Sequence, residues 1–137
     1  MSGLDQLLRL QRWSLDEKRR QATDLELLIE RLVQDIIQLD DQVAREIQAS
    51  RASIELQRAL PGYRDVMKSR RERLDRSLVD LRSELEKLRE QITEAFSELK
   101  KTEQTVKNRQ QRQRLAERRK EQAISDEVGL QLHRRKG

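Results

Sequence analysis

Cysteine is absent, proline occurs once and glycine four times in 137 residues, and aromatic residues make up only 2%. Without cysteine there is no disulfide framework, no thiolate zinc site and no cysteine nucleophile. The single histidine, His133, cannot build a multi-histidine metal centre and reads as a solvated tail residue among Leu132, Arg134, Arg135 and Lys136. No apolar run approaches the roughly 18 residues that cross a bilayer. Met1-Ser2-Gly3-Leu4-Asp5 has neither the basic nor the apolar region of a signal peptide, and Ser2 breaks the myristoylation pattern. A cytoplasmic protein is expected.

No Ser/His/Asp set, phosphate-cradling glycine loop or paired acids in a pocket can be identified. The abundant Asp and Glu read as surface charge rather than acid–base pairs. The expectation is a chain that is not an enzyme and takes no cofactor and no metal.

What is present is helix. Charged residues make up 40% and apolar residues 34%, a composition of strong helix formers that can bury a seam but not a broad core. Regular apolar spacing argues against disorder. The one proline, Pro61, precedes Gly62, and neither residue type occurs from Leu4 to Leu60 or from Tyr63 to Val128. Pro61 biases Leu60 away from helical geometry, and Gly62 takes positive φ at little cost.

This pattern predicts an all-α fold: an antiparallel two-helix coiled-coil hairpin with a C-terminal helical overhang. Helix 1 is placed at about 4–59, the turn at about 60–62, helix 2 at about 63–128 and a frayed tail at 129–137. The hairpin corner is then Leu60, Pro61, Gly62 and Tyr63, with Tyr63 packing on Leu60. The alternative is one kinked helix that dimerises through both halves.

Two seams support the hairpin. Leu25, Ile29, Leu32, Ile36, Leu39 and Val43 alternate steps of four and three. The same register runs back through Ala22, Lys18, Leu15, Gln11, Leu8 and Leu4. After Val43 the spacing slips to Ile47 and then Ile54, like a stutter that unwinds a supercoil. The second seam runs through Leu74, Leu78, Leu81, Leu85, Leu88, Ile92, Ala95, Leu99, Thr102 and Val106. Phe96 reads as a residue flanking the core.

A reversal at residue 61 puts position i near 122 − i, so Leu4 meets Arg118 and residues 119–137 extend past it. Ala123, Ile124, Val128 and Leu132 repeat at helical spacing on that overhang.

Charge is uneven. Residues 107–137 hold ten Lys or Arg and four acids, a balance of +6, whereas the other 106 residues balance at −1. Lys18, Arg19 and Arg20 add a smaller cluster, expected beside Thr102–Lys107. A basic end can bind nucleic acid, an anionic membrane or an acidic protein. Residues 107–137 contain no aromatics and only a sparse apolar stripe, which disfavours nucleic acid and membrane. A merely solvated face and an acidic protein partner remain. Trp13, the only tryptophan, is either an exposed interface anchor or packs across onto the second helix near Arg109.

Leu7-Leu8-Arg9-Leu10-Gln11-Arg12-Trp13-Ser14-Leu15-Asp16-Glu17-Lys18-Arg19-Arg20 resembles the opening of the flagellar export protein FliJ family of alphaproteobacteria. Ala95-Phe96-Ser97-Glu98-Leu99-Lys100-Lys101 and Asp126-Glu127-Val128-Gly129-Leu130-Gln131-Leu132-His133-Arg134-Arg135 are similar to the same group. The resemblance covers nearly the whole chain. It implies a monomeric coiled-coil stalk that sits in a hexameric export ATPase ring, contacts the cytoplasmic domain of the export gate and handles export chaperones, at the cytoplasmic face of the flagellar basal body. ATP hydrolysis then belongs to the partner.

The expected ATPase-facing end comprises Arg12, Trp13, Lys18, Arg19 and Arg20 with Arg112, Arg114, Arg118, Arg119 and Lys120. The corner is expected to face the export gate. The rival readings are a self-associating coiled-coil scaffold and a nucleic-acid-binding helix pair.

Overall fold

The computed structural model describes residues 3–136, which form two helices, α1 (Gly3–Ser50) and α2 (Ile54–Lys136), of 48 and 83 residues. No strand occurs among the described residues. The expected all-α hairpin forms, but its corner is Arg51–Ser53, not residues 60–62. The expected helix limits change with it: α1 stops at residue 50 rather than about 59, and α2 begins at residue 54 rather than about 63.

Local hydrogen bonding explains where the chain turns. At the end of α1 the N–H groups of Arg51, Ala52 and Ser53 each donate three residues back, at 3.2–3.4 Å, so the helix tightens as it ends. Ser50 is buried, and its Oγ donates to the Ile47 carbonyl at 2.7 Å. Ser53 then starts α2: its carbonyl accepts from the Gln57 N–H at 3.1 Å and its Oγ from the Leu56 N–H at 3.4 Å, an N-cap. Among the described residues none has positive φ, so this corner needs no glycine.

Pro61 and Gly62 lie inside α2. An interior proline costs about 3 kcal/mol, through a lost N–H and a clash with the carbonyl four residues back. What opposes that cost is the seam. The inward positions of α2 continue upstream of Leu74 through Arg71, Met67, Tyr63 and Leu60. Each apolar side chain buried there is worth about 1–3 kcal/mol. Gln57, whose carbonyl loses its donor at Pro61, is exposed and open to hydration.

The chain divides into two compact units, residues 15–94 and residues 1–14 with 95–137. In the first, Ala22, Leu85 and Leu88 form a buried cluster flanked by Leu25, Ile29 and Ile92. Arg89 Nη2 donates to Glu26 Oε1 at 3.4 Å, and Arg71 pairs with Asp40 across the helices and with Asp75 on its own helix. The hydrogen bond to Asp40, then that to Asp75, raises the Arg71 pKa above its ordinary value.

The slip foreseen at Val43–Ile47 has a counterpart. α1 steps Leu39, Val43, Ile47, Ser50, while α2 steps Leu60, Tyr63, Met67, Arg71, Leu74. Both helices thus insert one extra four-residue step where Val43 lies beside Met67. The supercoil unwinds in both strands at the same layer, which keeps the seam continuous.

In the second unit Leu99 and Thr102 are buried, and Arg12 Nη2 lies 3.8 Å from Glu103 Oε1. The ion pairs Arg12–Glu103, Glu26–Arg89 and Asp40–Arg71 join residues whose numbers add to 111–115, not the 122 that a corner at residue 61 requires. Leu4 accordingly lies against Val106, Arg109, Gln110 and Gln113 rather than Arg118.

Beyond Val106 every described residue of α2 is exposed. The tail expected to fray from residue 129 is helical to Lys136, and Gly137 lies outside the described residues. One glycine costs a helix only about 1 kcal/mol, and His133, Arg134, Arg135 and Lys136 place basic groups in the last turn.

Candidate functional site

The site builds from a long stretch of charge that the fold does not neutralise. Around residues 98–103 the basic side chains have partners: Lys100 with Glu103 at 3.1 Å and Lys101 with Glu98 at 3.4 Å. From 107 to 120 there are seven, Lys107, Arg109, Arg112, Arg114, Arg118, Arg119 and Lys120, against the single acid Glu117. Among the described residues none of the seven forms an ion pair. At about 100° per residue they point to every side of the helix. The result is a collar about 20 Å long, at 1.5 Å rise per residue, rather than a one-sided patch.

Such a collar raises the local concentration of anionic partners within about a Debye length, roughly 8–10 Å at ordinary salt. A flat membrane or a DNA groove engages one side of a helix. Charge on all sides suits an acidic surface that surrounds it.

Trp13 lies in the same unit and is 65% exposed. That exposure rules out packing onto the second helix near Arg109. Leu7 and Leu10 are 43% and 64% exposed, two helical steps and one before it. Arg12, beside it, is tied to Glu103.

The ten residues expected to gather at one end divide. Arg12, Trp13, Arg112, Arg114, Arg118, Arg119 and Lys120 fall in one unit, whereas Lys18, Arg19 and Arg20 fall in the other. Lys18 is half-buried on the seam, and Arg20 lies 3.7 Å from Glu17. The shift of register from 122 to 111–115 is the reason for this division. Of the four expected corner residues, Leu60 and Tyr63 are seam residues and Pro61 and Gly62 are exposed on α2.

Phe96, expected beside the core, is 42% exposed and carries the Lys100 ammonium 5.2 Å from its ring centroid. Lys107 and Arg109 belong to the collar but were missed, although the charge count from residue 107 onward contained the signal.

The hollows in this unit are open to solvent. One of about 420 Å³ is lined by Leu4, Asp5, Val106, Arg109, Gln110 and Gln113 and open to solvent. Among the described residues no group of three or more His, Asp or Glu is placed to hold a metal ion, and no helix is long and apolar enough to cross a membrane.

The class defined by this fold is an all-α helical hairpin with an exposed basic stretch on its second helix. No protein-family model matches the chain, and no curated protein or solved structure matches it either.

Proposed function

We propose that this chain is a central-stalk component of the flagellar type III protein export apparatus, acting at the cytoplasmic face of the basal body. It promotes assembly of the hexameric export ATPase ring, couples that ring to the cytoplasmic domain of the export gate and handles export chaperones. It works as a monomer, hydrolyses no ATP and binds no nucleic acid. The reading rests on the resemblance of its opening and closing segments to the FliJ family. The observation that carries it is the unpaired basic collar at residues 107–120, whose seven Lys and Arg are all exposed around α2 from where it passes the start of α1, in one unit with exposed Trp13.

In this reading the ATPase-facing residues are Arg112, Arg114, Arg118, Arg119 and Lys120 with Trp13 and Arg12. The corner at Arg51–Ser53 faces the gate. The test is a pulldown of a flagellar export ATPase with the intact chain and with a variant carrying Arg118→Glu, Arg119→Glu and Lys120→Glu. Three exposed attractions replaced by repulsions weaken binding by about tenfold or more. Unchanged capture would overturn the proposal. The alternative polyanion, a DNA or RNA oligonucleotide, would bind with log affinity falling steeply with log salt.

A further inference from the structure

The first turns of α2 are held by unusually little. Ile54, Glu55, Leu56, Gln57, Arg58 and Ala59 are all exposed, and inward packing resumes only at Leu60. Apart from the Ser53 cap, no side chain from Ile54 to Gly62 makes a hydrogen bond or ion pair. A helical stretch of this length without tertiary packing is marginal in water, because nucleation costs more than so few bonds return.

Both ends of the stretch are weak points. Upstream is the Arg51–Ser53 corner. Downstream, Pro61 denies the Gln57 carbonyl its donor and disfavours helical geometry at Leu60. Gly62 adds backbone freedom, and a Cβ built there would meet nothing within 4 Å, so neither packing nor close approach explains the glycine. Just beyond, the Tyr63 hydroxyl is buried without a hydrogen-bond partner, as Gln11 Oε1 is elsewhere on the seam, and this weakens the packing next to the stretch.

We propose that residues 54–60 form a hinged cap that opens as a unit between the Arg51–Ser53 corner and Pro61–Gly62, while the seam from Met67 to Val106 stays closed. Opening converts a tight corner into a mobile segment of about a dozen residues carrying Ile54, Leu56 and Leu60. It exposes little new apolar surface, because Ile54 and Leu56 are already 68% and 45% exposed and Leu60 alone among the three is half-buried. The opening is therefore a low-energy local event of the kind that precedes global unfolding. Pro61-Gly62 is the hinge of this device rather than the hairpin corner.

Amide hydrogen exchange on the intact chain, read by mass spectrometry or NMR, tests the inference. The amides of residues 57–60 and 62 should exchange at least a hundredfold faster than those of residues 78–99, at a rate insensitive to low urea. A Pro61→Ala/Gly62→Ala variant, which keeps every seam residue, should slow exchange at residues 57–60 by about a hundredfold, as removal of an interior proline implies. The seam amides should change far less. Equal protection of the two regions in the unaltered chain, or no slowing in the variant, overturns the inference.

Discussion

Truncating Leu88 to alanine tests the seam at its best-packed layer. Leu88 is 8% exposed and clusters with Ala22 and Leu85, with Leu25, Ile29 and Ile92 around them. Burial of a leucine side chain is worth about 1.5–3 kcal/mol. Leucine-to-alanine changes in cores cost about 2–5 kcal/mol, more where the surroundings cannot close over the gap. Here the core is a single layer between two helices, which can move together. The loss should lie near the lower end, about 2–3 kcal/mol.

For a chain of this length that corresponds to a fall in melting temperature of about 10 °C. The control is Val79→Ala on the same helix, where the side chain is 66% exposed; its effect should stay within about 0.5 kcal/mol. Urea and thermal unfolding followed by far-UV circular dichroism measure both. Equal losses at the two positions, or a larger one at Val79, would mean that α2 buries a different face, and the hairpin packing described above would be wrong.

Trp13 is the only tryptophan, so its fluorescence reports one site. It should show the red-shifted emission and free acrylamide quenching of a hydrated indole, with a blue shift when the ATPase binds; a blue-shifted, quench-resistant signal in the free chain would contradict its exposure. Ser53→Ala removes the cap of α2 and should lower protection of the Leu56 and Gln57 amides by about fivefold, equivalent to about 1 kcal/mol. No change there would return the corner to another position.

The seams were legible because burial follows spacing. Every position that the alternating steps of four and three put inward, from Leu4 to Val43 and from Leu74 to Val106, is buried or half-buried. The corner was misread because Pro61-Gly62 is the loudest local signal in the chain. A local cost of about 3 kcal/mol for the proline is outweighed when the helix carrying it continues a seam through Leu60, Tyr63 and Met67. The turn itself uses serines without positive φ, a much quieter signal.

The slip from Val43 to Ile47 was visible, but its match at Tyr63, Met67 and Arg71 was not, because an arginine and a tyrosine do not announce a core face. The site was legible in part. The basic excess lies after residue 106 as counted, whereas its grouping with Lys18, Arg19 and Arg20 depended on a register set by the corner. Exposure of Trp13 depends on which way one turn of α1 faces, which a single large residue between Arg12 and Ser14 leaves open.

Sedimentation velocity of a purified flagellar export ATPase, with and without the intact chain, bears most directly on the stalk reading. Added chain should co-sediment with the ATPase and increase the fraction of ring-sized species at physiological salt, an effect lost when Arg118, Arg119 and Lys120 are reversed. An ATPase that sediments identically whether or not the chain is present would contradict it.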